Sequence, residues 1–245
     1  MNDLLTSDYI NFLKNGELGE NILHLVDIIE KREGTQVYVD IGVESGKSSK
    51  VLLHGSYVNG TKVYGIDPIP TIGIDGILNH PNYTLLKQDS VVAGREWKNG
   101  KVDIAFIDSI HVKPQVMMEL YYWWDLVKID GWLVFHDTEW GMNKPNGYIH
   151  KPDHPCAGRK PGNSGLGYDF YAGRGWETPE YAIFDFFKLQ DLNVENEYIK
   201  SLHYPDSLGM TFIQKKQNFD YKHLISQDQW QRTELERQSI LKSFI

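Results

Sequence analysis

Val37-Tyr38-Val39-Asp40-Ile41-Gly42-Val43-Glu44-Ser45-Gly46-Lys47-Ser48 decides the fold. Its first five residues are a short β-branched and aromatic run that stops at a glycine, the signature of a strand that ends abruptly. The small residues that follow let the chain turn into a helix and allow a ligand to approach the backbone and the helix N-terminus. A strand that passes through a glycine loop into a helix is the opening unit of a parallel sheet with a nucleotide-like ligand at its carboxyl edge.

Working outward, Lys62 to Asp67 is a second such run, ending before Pro68, and Tyr83 to Leu86, Val102 to Ile107 and Trp132 to Phe135 are three more. Helical segments lie between several of them. Ile22, Leu23, Leu25, Val26, Ile28 and Ile29 recur at helical spacing before Glu33-Gly34, so the chain opens with amphipathic helix. Pro114 starts a helix that puts Val116, Leu120, Trp123, Trp124 and Val127 on one stripe before Asp130-Gly131 ends it. Thr178 is the expected N-cap of another, with Pro179 first and Ile183, Phe186 and Phe187 buried. Glu197 to Leu202 and Met210 to Gln214, joined by Tyr204-Pro205-Asp206-Ser207, read as an antiparallel hairpin. The expected architecture is a doubly wound, Rossmann-like α/β sheet of seven mostly parallel strands, closed by a C-terminal antiparallel hairpin and covered by helices on both faces. One domain over 1–218 carries an insertion at 138–177, and 219–245 forms a polar helical tail.

At 245 residues the chain can bury a full core without staples, and its lone Cys156 agrees with a reducing, cytoplasmic setting. Twenty-five basic against 33 acidic residues give a net charge of −8, with no long basic run, so nucleic acid is a poor partner. The longest apolar stretches fall far short of the roughly 18 residues of a membrane span, and the amino terminus lacks a signal-peptide pattern. Self-association into a homo-oligomer is left open.

The glycine loop admits three ligand readings. A phosphate-cradling P-loop fails because Gly42 and Gly46 enclose three residues where four are needed. A dinucleotide fingerprint fails because Gly42-Val43-Glu44 lacks the Gly-x-Gly pair and puts an acid beside a pyrophosphate. The third is the loop of an S-adenosylmethionine (SAM) site, and a plain turn with no ligand is the bland alternative. Asp67, about 20 residues beyond the loop, is where an acid accepts from ribose hydroxyls. Asp89-Ser90, after the third strand, reaches the same crevice. The fourth and fifth strands run into Phe106-Ile107-Asp108-Ser109-Ile110-His111 and Val134-Phe135-His136-Asp137. In a parallel sheet Asp108, His111, His136 and Asp137 would converge there, a set that suits a divalent metal, a general base, or both. Acids and histidines at strand ends are also often merely solvated.

This order of motifs resembles the class I SAM-dependent methyltransferases, and more narrowly the metal-dependent O-methyltransferases of the macrolide-sugar and cephalosporin-tailoring group. The resemblance covers Tyr38 to Thr138 and, more loosely, the hairpin through Leu208-Gly209-Met210-Thr211-Phe212-Ile213. It implies that Gly42 and Gly46 line the methionine part of SAM, Asp67 the ribose, and Asp89 with Ser90 the adenine end. Asp40, Glu44, Ser45, Ser48 and Asp108 complete the expected cofactor-binding set. It further implies that Asp108 and Asp137 ligate a metal, magnesium or manganese, and that His111 is the base; His136 would be a third ligand or a second base. Relatives usually carry two adjacent acids where this chain has His136-Asp137, a change that favours manganese or another imidazole-tolerant ion over magnesium.

The insertion carries Trp140, Tyr148, Tyr168, Tyr171 and Trp176 among His150, His154, Arg159, Lys160 and Arg174, a mixture that stacks on sugar faces and hydrogen-bonds hydroxyls. A small-molecule or glycan acceptor is the expectation, with a satellite core under a long loop as the alternative. Two other classes compete with the transferase: a non-catalytic SAM-fold binding module, which would not need Asp108, His111 and Asp137, and a nicotinamide-dependent oxidoreductase, which would need a better dinucleotide loop.

Overall fold

The structure is a computed structural model that describes residues 5–71, 75–138 and 179–242. Five strands, β1 (Val37–Ile41), β2 (Lys62–Ile66), β3 (Tyr83–Leu86), β4 (Val102–Ile107) and β5 (Val127–His136), pair in parallel. Three more, β6 (Val194–Glu195), β7 (Ile199–Tyr204) and β8 (Met210–Lys215), join antiparallel, giving the order β3-β2-β1-β4-β5-β8-β7-β6. The hairpin therefore does not sit beside the sheet but extends it, with Met210 of β8 opposite His136 at the end of β5.

The alternation of buried side chains along β4 shows why both faces are covered. Ile104 and Phe106 face one way, into a core with α1 (Ser7–Lys14), α2 (Ile22–Glu30) and α3 (Lys47–Asn59). Ala105 and Ile107 face the other. There they meet α5 (Ser90–Glu96), α6 (Lys113–Trp123) and α7 (Pro179–Phe187), together with Trp230 of α8 (Gln227–Lys242). A one-turn α4 (Asp75–Leu78) precedes β3. A strand buried on both sides reads as a near-continuous apolar run, which is how Val102 to Ile107 appears in sequence apart from Asp103.

Three details differ from the sequence reading. The sheet has eight strands, because the two-residue β6 adds an outer edge through Val194–Ser201 and Glu195–Lys200 pairing. Val127 belongs to β5 rather than to the preceding helix, which stops at Trp123. Asp130-Gly131 is an irregularity inside β5 rather than a helix stop: Asp130 takes φ 62°, and the β4–β5 register jumps between Val102 and Ile104. Val127 is buried either way, and its position four residues after Trp123 imitates a helical stripe. The polar tail is anchored: Trp230 packs edge-on to Tyr121, with ring centroids 4.6 Å apart, and Arg237 and Ile240 are buried on the same helix. Thr178 lies outside the described residues, as does the insertion from residue 139 onward with its aromatics, basic residues, histidines and Cys156.

Candidate functional site

The strand order reverses between β1 and β4, since the chain leaves β1 toward β2 and β3 but returns through β4 to β5. Connections that depart in opposite directions open a crevice at the carboxyl ends of those two strands. Gly42 stands at its floor. Its φ is 86°, and a Cβ there would lie 2.1 Å from the Asp108 carbonyl oxygen. The close approach lets the strands end in step: the Gly42 N–H donates to Ile66 O at 2.9 Å and the Asp108 N–H to Ile41 O at 2.8 Å. Gly42 is thus required first by β4, not by a ligand. Beyond it Glu44 takes φ 46°, and Gly46, at φ 82°, begins α3 without a side-chain cap.

Asp67 ties the second strand to this loop. Its Oδ2 accepts from the Glu44 N–H at 2.8 Å and its Oδ1 from the Ile69 N–H at 2.7 Å. Both oxygens keep lone pairs for a further donor. Ser45 lies in the loop with its Oγ buried and without a hydrogen-bond partner. Asp40 and Ser48 sit behind the loop, where Asp40 Oδ2 accepts from Ser48 Oγ at 2.9 Å and also from Ser49 Oγ. Asp40 is completely buried. Burial, with Asp108 and Asp67 adding to it against the two serine hydrogen bonds, pushes its carboxyl up to about 7.

The raised value has a measurable sign. Between the ordinary carboxylate range and pH 7 the native state holds a proton that the unfolded chain has released, so stability is full in acid and falls as pH rises through about 7. At roughly 1.4 kcal/mol per pKa unit, the loss approaches about 4 kcal/mol. Asp40→Asn, which keeps an acceptor for the serines and has no charge to bury, should reduce that slope by Asp40's share and leave the part due to Glu119, raised to about 7, and His136, raised to about 9. Urea midpoints for both proteins at pH 5 and pH 8 check it; a slope no smaller in the variant than in the wild type places its origin elsewhere.

Asp89 and Ser90 sit at the β3 end of the same edge, where their side chains are committed to the protein. Asp89 Oδ1 accepts from the Val91 and Val92 N–H groups, capping α5, while Oδ2 takes Arg237 Nη1 at 2.9 Å. Ser90 Oγ donates to Glu119 Oε1 at 2.6 Å and accepts from Gln115 Nε2 at 2.9 Å. Arg237 also reaches Gln115 Oε1 at 3.3 Å, so the C-terminal helix is wired to the turn that borders this end of the crevice.

On the other side of Gly42 the ends of β4 and β5 bring together the four groups singled out in sequence. His111 bridges two carboxylates, with Nε2 2.9 Å from Asp108 Oδ1 and Nδ1 3.0 Å from Asp137 Oδ2. His136 Nδ1 lies 3.2 Å from Asp108 Oδ1 and 3.1 Å from Asp137 Oδ1, and its Nε2 3.2 Å from the Glu17 carbonyl oxygen. Asp137 holds φ 56°, a left-handed conformation that aspartate tolerates better than most residues and that turns its carboxylate back toward the histidines. One ligand atom each from Asp108, His111 and Asp137 all fall within 4.8 Å of one another.

The electrostatics follow from this packing. Burial disfavours the Asp108 charge, but His136 and His111 outweigh it and hold the carboxyl below the usual range. Burial likewise opposes protonation of His111, yet Asp137 and Asp108 keep it well above an ordinary imidazole. His136 is raised to about 9 against its own burial, chiefly by Asp137 and then Asp108. The carboxylates thus favour the charged form of both imidazoles, and the imidazoles the charged form of Asp108, so that a dication entering this group would displace protons.

The three residues whose ligand atoms lie within 4.8 Å of one another are Asp108, His111 and Asp137, while the sequence reading took His136 as a third ligand or a second base and His111 as the base. His136 stands beside them rather than outside. Sequence reasoning missed Glu17, whose backbone oxygen faces His136, and the Arg237–Gln115–Glu119 network behind Asp89. Nothing local announces either, since the partners lie 119 and 148 residues apart.

Residues 39–138 match the family model described as "Methyltransferase domain". No curated protein matches the sequence. Among solved structures, SAH-bound PaMTH1 methyltransferase of Podospora anserina aligns at 15% identity over 89% of this chain and 89% of that one, with a TM-score of 0.57. A Corynebacterium glutamicum protein aligns at 13% over 87% and 92%, with a TM-score of 0.55. MycE methyltransferase of the mycinamycin biosynthetic pathway, solved with Mg, SAH and mycinamycin VI, aligns at 17% over 89% of this chain but 54% of its own length, with a TM-score of 0.54. Identities this low establish a common fold.

Proposed function

We propose, on the premise that residues 39–138 form a methyltransferase domain of class I fold, that the protein moves a methyl group from SAM to a hydroxyl oxygen of a small molecule or glycan. A divalent metal would assist. The observation that carries this reading is the gathering of Asp108, His111 and Asp137 at the ends of β4 and β5, directly beside the glycine loop.

The residues present fit both groups. Ser45 Oγ in the loop and Asp137 Oδ1 at the strand end are buried polar atoms that no hydrogen bond satisfies, the condition of side chains waiting for a partner. The Gly42–Gly46 loop would hold the methionine part of SAM and Asp67 the ribose hydroxyls, with the Asp89-Ser90 turn, held by Arg237, bordering the adenine. Asp108 and Asp137 would hold the metal, with His136 beside them. SAM supplies an electrophilic methyl group, and the metal supplies the charge that acidifies the acceptor hydroxyl.

This chain's residues must then do two things. They hold the acceptor oxygen in line with the methyl group, which is most of the task in a direct displacement. They also take its proton. His111 would take that proton, its ring nitrogens lying 2.9 Å from Asp108 Oδ1 and 3.0 Å from Asp137 Oδ2. A cytoplasmic enzyme acting on a soluble, sugar-like acceptor is the setting this reading assumes, and no helix among the described residues is long and apolar enough to cross a membrane.

Calorimetric titration of metal-stripped protein with SAM and with NAD tests the reading. SAM should bind at micromolar concentration and NAD should not. Absence of SAM binding, with and without added metal, would remove the transferase and leave a scaffold for another ligand.

A further inference from the structure

We infer that Arg237, on the last helix, is a positioning residue for the cofactor: it fixes the Asp89 carboxylate so that one lone pair is left for the exocyclic amine of the adenine. The inference rests on the proposed SAM site and names what gives that site its choice of base. Asp89 lies just beyond the end of β3 at Leu86. The ends of β2 and β3 are level there, since the Asp67 N–H donates to Leu86 O at 3.2 Å, so Asp89 stands on the same edge of the sheet as the Asp67 proposed to hold the ribose. The Asp89 side chain keeps 28% of its surface exposed against 7% for Arg237, so the carboxylate is the open member of the pair and the guanidinium the covered one.

An ionised carboxylate offers about four lone pairs. Asp89 Oδ1 uses its own two on the Val91 and Val92 N–H groups, at 3.0 and 3.1 Å, and Oδ2 uses one on Arg237 Nη1 at 2.9 Å. A single acceptor position is left, on Oδ2. With one anchor on each oxygen the carboxylate cannot turn about its own bond, so the direction of that last lone pair is set as well. A primary amine can donate to it. An oxo group in the same place would set two acceptors against each other and leave both without a hydrogen bond.

Arg237 can impose this geometry because it is itself held. Nε and Nη2 fork onto Glu234 at 2.7 and 2.9 Å, and Nη1 also reaches Gln115 Oε1 at 3.3 Å. A planar guanidinium held through all three nitrogens has one orientation. Through Gln115 the constraint passes further along the same turn. With the amide oxygen facing Arg237, Gln115 Nε2 donates to Ser90 Oγ at 2.9 Å and to Glu119 Oε1 at 2.8 Å, which leaves the Ser90 hydroxyl to donate to Glu119 at 2.6 Å. The helix that carries Arg237 is anchored by Trp230 against Tyr121 and by buried Ile240, and it lies beyond the residues 39–138 that match the methyltransferase domain. An element outside that domain thus sets a side chain at the adenine end of its crevice.

The test titrates the full-length protein by calorimetry with SAH and with S-inosylhomocysteine, which carries an oxo group in place of the 6-amino group. Wild type should prefer SAH by roughly tenfold to a hundredfold, the size expected of one hydrogen bond to a charged acceptor. Arg237→Met, which keeps a long apolar stem and removes every donor, should shrink that preference by roughly fivefold or more. A ratio of two affinities measured on one sample does not depend on how much of the sample is folded. Should that variant not fold at all, Arg237→Lys, which keeps the charge and loses the fork, should shrink the ratio in the same direction. Glu234→Gln is the control for a merely structural role: it weakens the hold on the helix and should lower the urea midpoint, but it leaves Nη1 on Asp89, so its ratio should match wild type. A ratio unchanged in the Arg237 variants overturns the inference, as does an equal fall in Glu234→Gln or a wild type that binds both ligands alike; in each of these cases SAH binds and the methyl-transfer reading stands. A wild type that binds no SAH overturns both.

Discussion

Gly42→Ala should cost roughly 3–5 kcal/mol of stability, the sum of a strained left-handed residue and an overpacked contact. Two independent effects meet at this position. An alanine at φ 86° is held in a region that L-residues avoid, and its Cβ would fall 2.1 Å from the carbonyl oxygen of Asp108, a backbone atom that no rotamer change can move. The strands must separate, and with them the Gly42–Ile66 and Ile41–Asp108 hydrogen bonds that keep β1, β2 and β4 in step. Gly34→Ala isolates the first effect, because Gly34 has φ 70° but nothing within 4 Å of the added carbon. That control should lose only about 1 kcal/mol. Urea unfolding of the two variants checks the difference, and equal losses would mean that the closeness of β1 and β4 is not what Gly42 secures. Any Gly42→Ala protein that still folds should bind SAH weakly, since Asp108 and the loop move together.

How far the sequence was legible follows from the range of the interactions. The unit Val37 to Ser48 was readable because everything that makes it a strand, a turn and a helix start lies within a few residues, and the same holds for the acids and histidines at the ends of β4 and β5. Val127 misled because burial, not helix, fixes its character, and a spacing of four residues from Trp123 suits a helix while the chain has already turned into β5. Asp130-Gly131 carried a breaker signal that was real but belonged to a strand irregularity. β6 has two residues and exists only through its pairing with β7, so no periodicity could mark it. The wiring of the site was the least visible part. Asp89 looks in sequence like an open acid at a strand end, whereas its carboxylate is spent on the α5 N-terminus and on an arginine of the last helix. Only tertiary contact reveals that.

Asp108→Ala and His111→Ala should each lower turnover by roughly a hundredfold to ten-thousandfold, the range spanned by the loss of a positioned acid–base group. The double variant should cost little more than the worse single one. Asp108 Oδ1 is the shared neighbour of both imidazoles, 2.9 Å from His111 Nε2 and 3.2 Å from His136 Nδ1. Removing it takes away one of the carboxylates that hold His111 and, on the proposed reading, one of the two that would hold a metal, so the proposed base would lose its placement. Groups that work as a unit lose most of their effect with the first removal, and their individual losses do not add. Kinetics at saturating acceptor, with SAH affinity measured beside them, separate this from a general loss of structure: SAH should still bind to His111→Ala, because His111 is not among the residues proposed to hold SAM. Turnover that persists in both single variants would sink the acid–base reading of the centre. Losses that add in the double variant would keep the two residues as contributors but assign them to separate steps.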